Sequence, residues 1–237
     1  MRNWIEINDM RSTFVKGLFI NSIPPITKPA KRVNITTVDG MDGDILEDVG
    51  YEAYDKEFEV SMLPDGNIDD IIQFFDDEGK IMFSNEQGKY YRFKTIERID
   101  FERLIRFRTA TMIIHVQPFK YSDEVPKQYD TTGKTSIDVF NEGNIYSRPK
   151  LTITGSGVNT LQLNGTAVLI IDLTNDSSIC IDTEKMEAYN PSTPSTLMNR
   201  KVIGDYRQFR LKYGKNTIAW TGGTISTIKT ENTSRWI

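Results

Sequence analysis

Residues 32–63 constrain the fold more than any other stretch, because two strand-like runs flank a long acidic connection with three glycines. The second run, residues 56–63, alternates Phe58, Val60 and Met62 with charged or small neighbours. Such alternation predicts a strand with one buried face, and the first run is rich in the β-branched residues that strands favour. Because so long a gap between strands is unusual in a compact domain, we interpret residues 39–48 as a loop that meets a partner.

The composition is that of a globular protein with room for one large or two small domains in 237 residues. A net charge of −4 argues against a surface for specific nucleic-acid binding. The single cysteine, Cys180, excludes an internal disulfide. Neither a signal peptide nor an apolar run long enough to span a membrane is found, so we expect synthesis in a cytoplasm, with no export signal.

The clearest helix is predicted near residues 68–76. Ile68, Ile71, Ile72 and Phe75 form one apolar stripe at helical spacing, and either Asn67 or Asp65 can cap the N-terminus of this helix. A helix this short is marginal alone and is expected to lie on a sheet. Residues 80–83 and 89–99 then predict a hairpin that turns over residues 85–88.

The longest predicted strand covers residues 104–119, and Arg103, Arg106 and Arg108 crowd its first half. Two interpretations stay open for these arginines. They form a solvated strand face, as charge runs usually do, or they pair with the acidic loop within or between subunits.

The pattern of apolar and polar residues changes in the second half of the chain. Residues 122–136 are polar and lack periodicity, which is typical of a linker. Beyond them, short β-like runs alternate with Gly, Asn and Pro, a pattern that predicts a β-sandwich. The proline-rich residues 190–196 are predicted to be a surface loop. We therefore expect a mainly β fold with one short α-helix, divided into an N-terminal domain (residues 1–137) and a C-terminal sandwich (residues 138–237).

No combination of residues predicts catalysis. His115 and Cys180 both lie inside strand-like runs, without the partners that a nucleophile or general base requires. The spacing of the acids in the loop does not match a calcium-binding loop, and we interpret the glycines at 155, 157, 222 and 223 as turns rather than a phosphate cradle. We therefore predict no enzyme, no cofactor and no metal site.

The order of several short motifs resembles the distal tail proteins of siphophages, a family at the tip of long non-contractile phage tails. The motifs are GLFI at residues 17–20, TVDG at 37–40, the helix, VQPFKY at 116–121, NEGN at 141–144, SRPKL at 147–151, DTE at 182–184 and GKNTI at 214–218. Together they span nearly the whole chain in the family's order, although each one is short.

The resemblance implies a ring-forming N-terminal domain with a sheet, a helix and a projecting hairpin, and a galectin-like or carbohydrate-binding-module-like C-terminal sandwich. Six copies would form a ring in the virion that joins the tail tube protein to the tail-tip or tail-associated lysin protein and to receptor-binding or baseplate proteins, and so serves host adhesion. Some galectin-like domains bind sugar through a histidine, but no histidine follows His115.

Two sets of site residues follow. For the ring hypothesis, opposite charges within one domain predict a subunit interface or a channel wall formed by Asp39, Asp42, Asp44, Glu47, Asp48, Arg103, Arg106 and Arg108. For the alternative, a carbohydrate-binding module that recognises cell-surface glycans, the predicted sugar platform consists of Tyr206, Tyr213 and Trp220.

Overall fold

The computed structural model describes residues 2–76, 78–94 and 101–237, and it divides into two compact units. The first unit contains the residues up to Lys120 together with Ile237, and the second contains Tyr121–Trp236. The ring-forming role of the first domain and the boundary at residue 137 stay predictions.

The first unit combines a large antiparallel sheet, a separate two-stranded hairpin and two α-helices. Its elements are β1 (Ile5–Ile7), β2 (Met10–Arg11), β3 (Leu18–Ile20), β4 (Lys31–Thr37), β5 (Asp44–Tyr51), β6 (Tyr54–Met62), α1 (Ile68–Phe75), β7 (Glu78–Phe83), β8 (Lys89–Lys94), α2 (Phe101–Phe107) and β9 (Thr109–Ser122), with a 3-10 turn at Ser12–Phe14. The large sheet has the order β2-β1-β7-β8-β9-β6-β3.

Helix α1 lies where the sequence predicts it. The Asn67 side chain accepts a hydrogen bond from the Asp69 amide at 3.1 Å, which caps the N-terminus. The helix buries Ile71, Phe74 and Phe75, and Phe75 packs against Phe58 of β6 with ring centroids 6.2 Å apart. The helix is therefore stabilised by its contact with the sheet, as its short length requires.

The fold class is confirmed as mainly β, but two predictions in the first unit are wrong. Residues 104–107, predicted as the start of a strand, belong to helix α2, because Leu104 is buried on one side and Glu102 pairs with Arg106 one turn later at 2.5 Å. Residues 44–48, predicted as part of a loop, belong to strand β5. The strand predicted for residues 89–99 is present as β8 up to Lys94, and residues 95–99 lie outside the described residues.

The second unit is built almost entirely of strands. They are β10 (Lys127–Asp130), β11 (Ser136–Asn141), β12 (Lys150–Leu163), β13 (Ala167–Leu173), β14 (Ser178–Asp182), β15 (Glu187–Asn190), β16 (Thr193–Leu197), β17 (Val202–Gly204), β18 (Gly214–Glu231) and β19 (Arg235–Trp236), with a 3-10 turn at Asn199–Lys201. Strand β10 lies inside the stretch predicted as a linker, and β15 and β16 form a hairpin across the stretch predicted as a surface loop.

Two long strands, β12 and β18, organise this unit. The first half of β12 pairs with β14 and the second half with β13, while β18 pairs with β12 along nearly its whole length. Buried residues of both halves, such as Ile153 and Leu161, belong to one apolar cluster. The two halves therefore enclose one core, as the layers of a sandwich do.

The bend between the halves depends on glycine. The pairing of β12 with β18 shifts register between Thr154 and Asn159, opposite Gly222 and Gly223. A Cβ atom at Gly222 would clash with the Val158 carbonyl oxygen, and one at Gly223 with that of Ser156. The glycines that the sequence suggested as turns are thus bends inside continuous strands, where two backbones approach closely.

This bend generates a stability prediction. We expect Gly222→Ala to destabilise the protein by about 1–3 kcal/mol more than Gly165→Ala, because the new methyl group would overlap backbone that cannot move aside freely. Both glycines have positive φ, 103° and 71°, but a Cβ at Gly165 would meet nothing within 4 Å. Urea unfolding of the full chain measures the difference, and equal losses in the two variants would contradict the role of the close approach.

Candidate assembly surface

The hairpin of β4 and β5, residues 31–51, is the most unusual feature of the first unit. Among the described residues its two strands pair only with each other, and every residue of β4 is exposed, as are the first six of β5. A two-stranded hairpin is at best marginally stable in water when nothing covers it. Its stability therefore depends on what packs against it.

One face of the hairpin, which we call the aliphatic face, consists of Val33, Ile35, Leu46 and the flanking Asp44 and Asp48. Ile35 lies directly opposite Leu46, and Val33 opposite Asp48. Ile35 and Leu46 are 61% and 65% exposed. Contiguous exposed aliphatic side chains bordered by charge are typical of a protein–protein contact site.

The acids predicted from the sequence all lie on this hairpin. Asp44, Glu47 and Asp48 are on β5, and Asp39 and Asp42 are at the tip. Two of them have partners within the hairpin: Thr37 Oγ1 donates to Asp44 Oδ1 at 2.9 Å, and Lys31 Nζ donates to Asp48 Oδ2 at 2.7 Å. The nearby carboxylate raises the pKa of Lys31 through this hydrogen bond.

The predicted arginines lie on or next to α2. Arg103 and Arg106 are helical, and Arg108 has a φ of 61° and ends the helix. The backbone amide of Arg108 donates to Leu104 O at 3.0 Å, and its carbonyl accepts from the Met62 amide at 3.0 Å. On the same side of the helix as Arg103 and Arg106, Phe107 is 71% exposed. We call Arg103, Arg106 and Phe107 the α2 surface.

The three residues of the predicted sugar platform do not form one. Trp220 is only 6% exposed and belongs to the core of the second unit, so its ring presents no face to a ligand. Tyr206 packs partly against the same core, and burial raises the pKa of its hydroxyl. Of the three, Tyr213 alone is well exposed.

A buried polar cluster, which the sequence analysis missed, lies below the base of the hairpin. Glu86 accepts from Lys120 Nζ at 2.7 Å and from the Tyr91 hydroxyl at 2.8 Å. Lys56, only 3% exposed, donates from Nζ to the carbonyl oxygen of Pro25 at 3.0 Å. A signal was present in the sequence, because the alternation that places Phe58, Val60 and Met62 inward also places Lys56 inward.

The other two side chains considered for chemistry have ordinary surroundings. His115 Nδ1 lies 2.7 Å from Asp55 Oδ1 on the neighbouring strand β6. Cys180 is buried on β14, where Thr152 Oγ1 lies 3.6 Å from its sulfur. No helix within the described ranges is long and apolar enough to cross a bilayer.

Comparison with known proteins places this fold among phage tail-tip hub and baseplate proteins. No family model and no curated protein matches the sequence. The chain is similar over its whole length to the Dit protein (gp 19.1) of phage SPP1, described as a paradigm of the hub adsorption apparatus in phages that infect Gram-positive bacteria, with a TM-score of 0.66 and 15% identity over 100% of both chains.

It is also similar to a chain of the phage P2 baseplate in its activated conformation with Ca, with a TM-score of 0.54 and 10% identity over 100% of this chain and 99% of that one. At such low identities the likeness shows the fold alone. The fold confirms the resemblance to siphophage distal tail proteins.

The surroundings of Lys56 generate a prediction about pH. Burial, together with the charge of Lys120, lowers the pKa of Lys56 to about 8 although Glu86 opposes the shift. Between pH 8 and the usual lysine pKa near 10.5, the unfolded chain binds more protons than the folded one, so stability should rise with pH in this window.

In a Lys56→Met variant this component of the rise should be absent, which urea unfolding at pH 8, 9 and 10 would measure. The same slope in wild type and variant would show that Lys56 does not titrate in this window.

Proposed function

We propose that this protein is a structural subunit of a siphophage tail tip, in which six copies form a ring that joins the tail tube to the baseplate or receptor-binding apparatus. The observation that carries the proposal is the likeness to hub and baseplate chains over the full length, which includes both units. Its role is structural rather than catalytic. Its partners are copies of itself, the tail tube protein, a tail-tip or tail-associated lysin protein, and receptor-binding or baseplate proteins.

The hairpin and the α2 surface supply a complementary pair of patches for a ring. The hairpin carries five acids and exposed aliphatic side chains, and the α2 surface carries two arginines beside Phe107. A closed ring needs two different patches on each subunit, one of which contacts the other patch of the next copy. We infer that the hairpin of one copy docks on the α2 surface of its neighbour.

The other placement considered for the acids is the wall of the central channel. A negative wall would repel the phosphates of DNA passing through it, because basic residues are the ones that hold phosphate. The two placements predict different results when charges are exchanged, so one set of variants separates them.

The first test is the mass of the particle in solution. Light scattering over a range of concentrations should give six times the 27.2 kDa chain mass. A monomer at every concentration would contradict a ring that closes without other tail proteins.

The second test reverses charge. Asp42→Lys with Asp44→Lys should weaken assembly by about tenfold or more, because like charges across an interface cost several kcal/mol. Adding Arg103→Glu and Arg106→Glu should restore assembly if the two patches contact each other. An unchanged hexamer at low concentration in the first double variant would refute the interface.

The matched control is Glu124→Lys with Glu142→Lys. It makes the same change in charge at two exposed acids of the second unit and should leave assembly unchanged. If the hairpin variant and the control weaken assembly equally, total charge rather than the hairpin determines the effect.

A further inference from the structure

We propose that Lys56 is a positioning residue that fixes the direction of the hairpin by holding the segment that leads into it. The inference about position stands on the geometry of the first unit, and its consequence for assembly rests on the proposed function. Lys56 lies on β6, outside the hairpin itself, and would act only through the connecting segment.

The connecting segment, residues 21–30, joins β3 to the hairpin. Its first two residues are tied to β6, because the Asn21 amide donates to Glu59 O at 2.8 Å and Ser22 Oγ accepts from the Glu59 amide at 2.9 Å. Prolines at 24, 25 and 29 lack backbone amides, so this part of the segment is held mainly through its carbonyl groups. Lys56 Nζ donates to Pro25 O at 3.0 Å, and Asn85 Nδ2 donates to Pro24 O at 3.2 Å. The Tyr54 hydroxyl adds a longer contact with Thr27 O at 3.4 Å.

The position of this segment matters because the hairpin pairs with no other described strand. Its direction is therefore set at its base, where the Glu52 amide donates to Ala30 O at 2.9 Å and the Tyr51 ring packs edge to face on Phe119 at 5.3 Å. Beyond Glu52 only Ala53 separates the hairpin from β6. The other connection is the one that Lys56 holds.

The amine of Lys56 is surrounded by aromatic rings, and the nearby carboxylate is paired with another lysine. Its Nζ lies 4.8 Å from the ring centre of Tyr91, 5.5 Å from that of Tyr54 and 5.6 Å from that of Phe83. The carboxylate of the cluster, Glu86, is already engaged by Lys120 and Tyr91. A buried charge costs solvation free energy unless it is paired, and the carboxylate of this cluster is paired with Lys120, so we assign Lys56 a role in position rather than in stability.

The test compares Lys56→Met with Lys120→Met in the full chain, using hydrogen exchange followed by mass spectrometry together with light scattering. At pH 7, Lys56→Met should be as stable as wild type or more so. Exchange should accelerate by about tenfold or more at the Glu52 amide, which donates to Ala30 O at the end of the connecting segment, since the hydrogen bond from the charged Lys56 donor to that segment is lost. Peptides from β7 and β8 should be unchanged.

Lys120→Met is the matched control because it removes an equally buried amine from the same cluster without touching the connecting segment. It should lower stability, since Glu86 loses its ion pair, and any faster exchange should be spread over the first unit rather than confined to the Glu52 amide.

Three outcomes would overturn the inference: unchanged exchange in Lys56→Met, acceleration spread evenly over the first unit, or failure of this variant to fold. Selective acceleration with weakened assembly would support both proposals. Selective acceleration with normal assembly would support the positioning role of Lys56 and contradict the docking role of the hairpin.

Discussion

The hairpin of residues 31–51 depends on a contact that its own described chain does not supply. Ile35 and Leu46 face each other across the two strands and remain more than half exposed. In a monomer these side chains would lose the hydrophobic stabilisation that normally holds strands together, which is about 25 cal/mol for each Å² of apolar surface removed from water. In the proposed ring the hairpin is half of an interface, and such a contact belongs to a structural role rather than a catalytic one.

The second unit, in contrast, encloses its own core, and two very long strands contribute to both sides of it. Strands β12 and β18 must bend so that one sheet can cover both sides of the core. Glycine at the bend allows the two backbones to approach, and the Asn159 side chain donates to Ser156 O and Gly157 O at 3.1 and 3.2 Å, which fixes the bend locally. The sandwich is therefore determined as much by these few residues as by its apolar alternation.

Features that depend on a local sequence pattern were predicted correctly. Features that depend on contacts with residues distant in the sequence were not. Helix α1 was predictable because its apolar spacing and its cap lie within a few residues. Residues 104–107 were misassigned because the strand pattern that follows them was extended too far back, although the three-residue spacing of Arg103 and Arg106 suits a helix. The glycines at 155, 157, 222 and 223 have the sequence pattern of turns. Only the pairing of β12 with β18 shows that they lie inside strands.

The candidate site was half predictable for a similar reason. The acids and arginines were recognised by their charge, whereas the aliphatic face was missed because residues 39–48 were interpreted as a loop without a regular face. Trp220 was a candidate only for the alternative function, and the burial pattern of β18 places it in the core.

Lys56 shows that the alternation of apolar residues along a strand can also predict which charged side chains are buried. A charged residue in phase with a buried apolar series is either an error in the predicted register or a side chain kept inside at a cost. Here the register is correct, since Lys56 pairs with Ile114 in the middle of the sheet. The cost is offset by contacts that only a long cationic donor makes, with three aromatic rings and one proline carbonyl. The same reading applied to Lys120, two residues beyond Pro118 on the buried side of β9, identifies the second buried amine from its position alone.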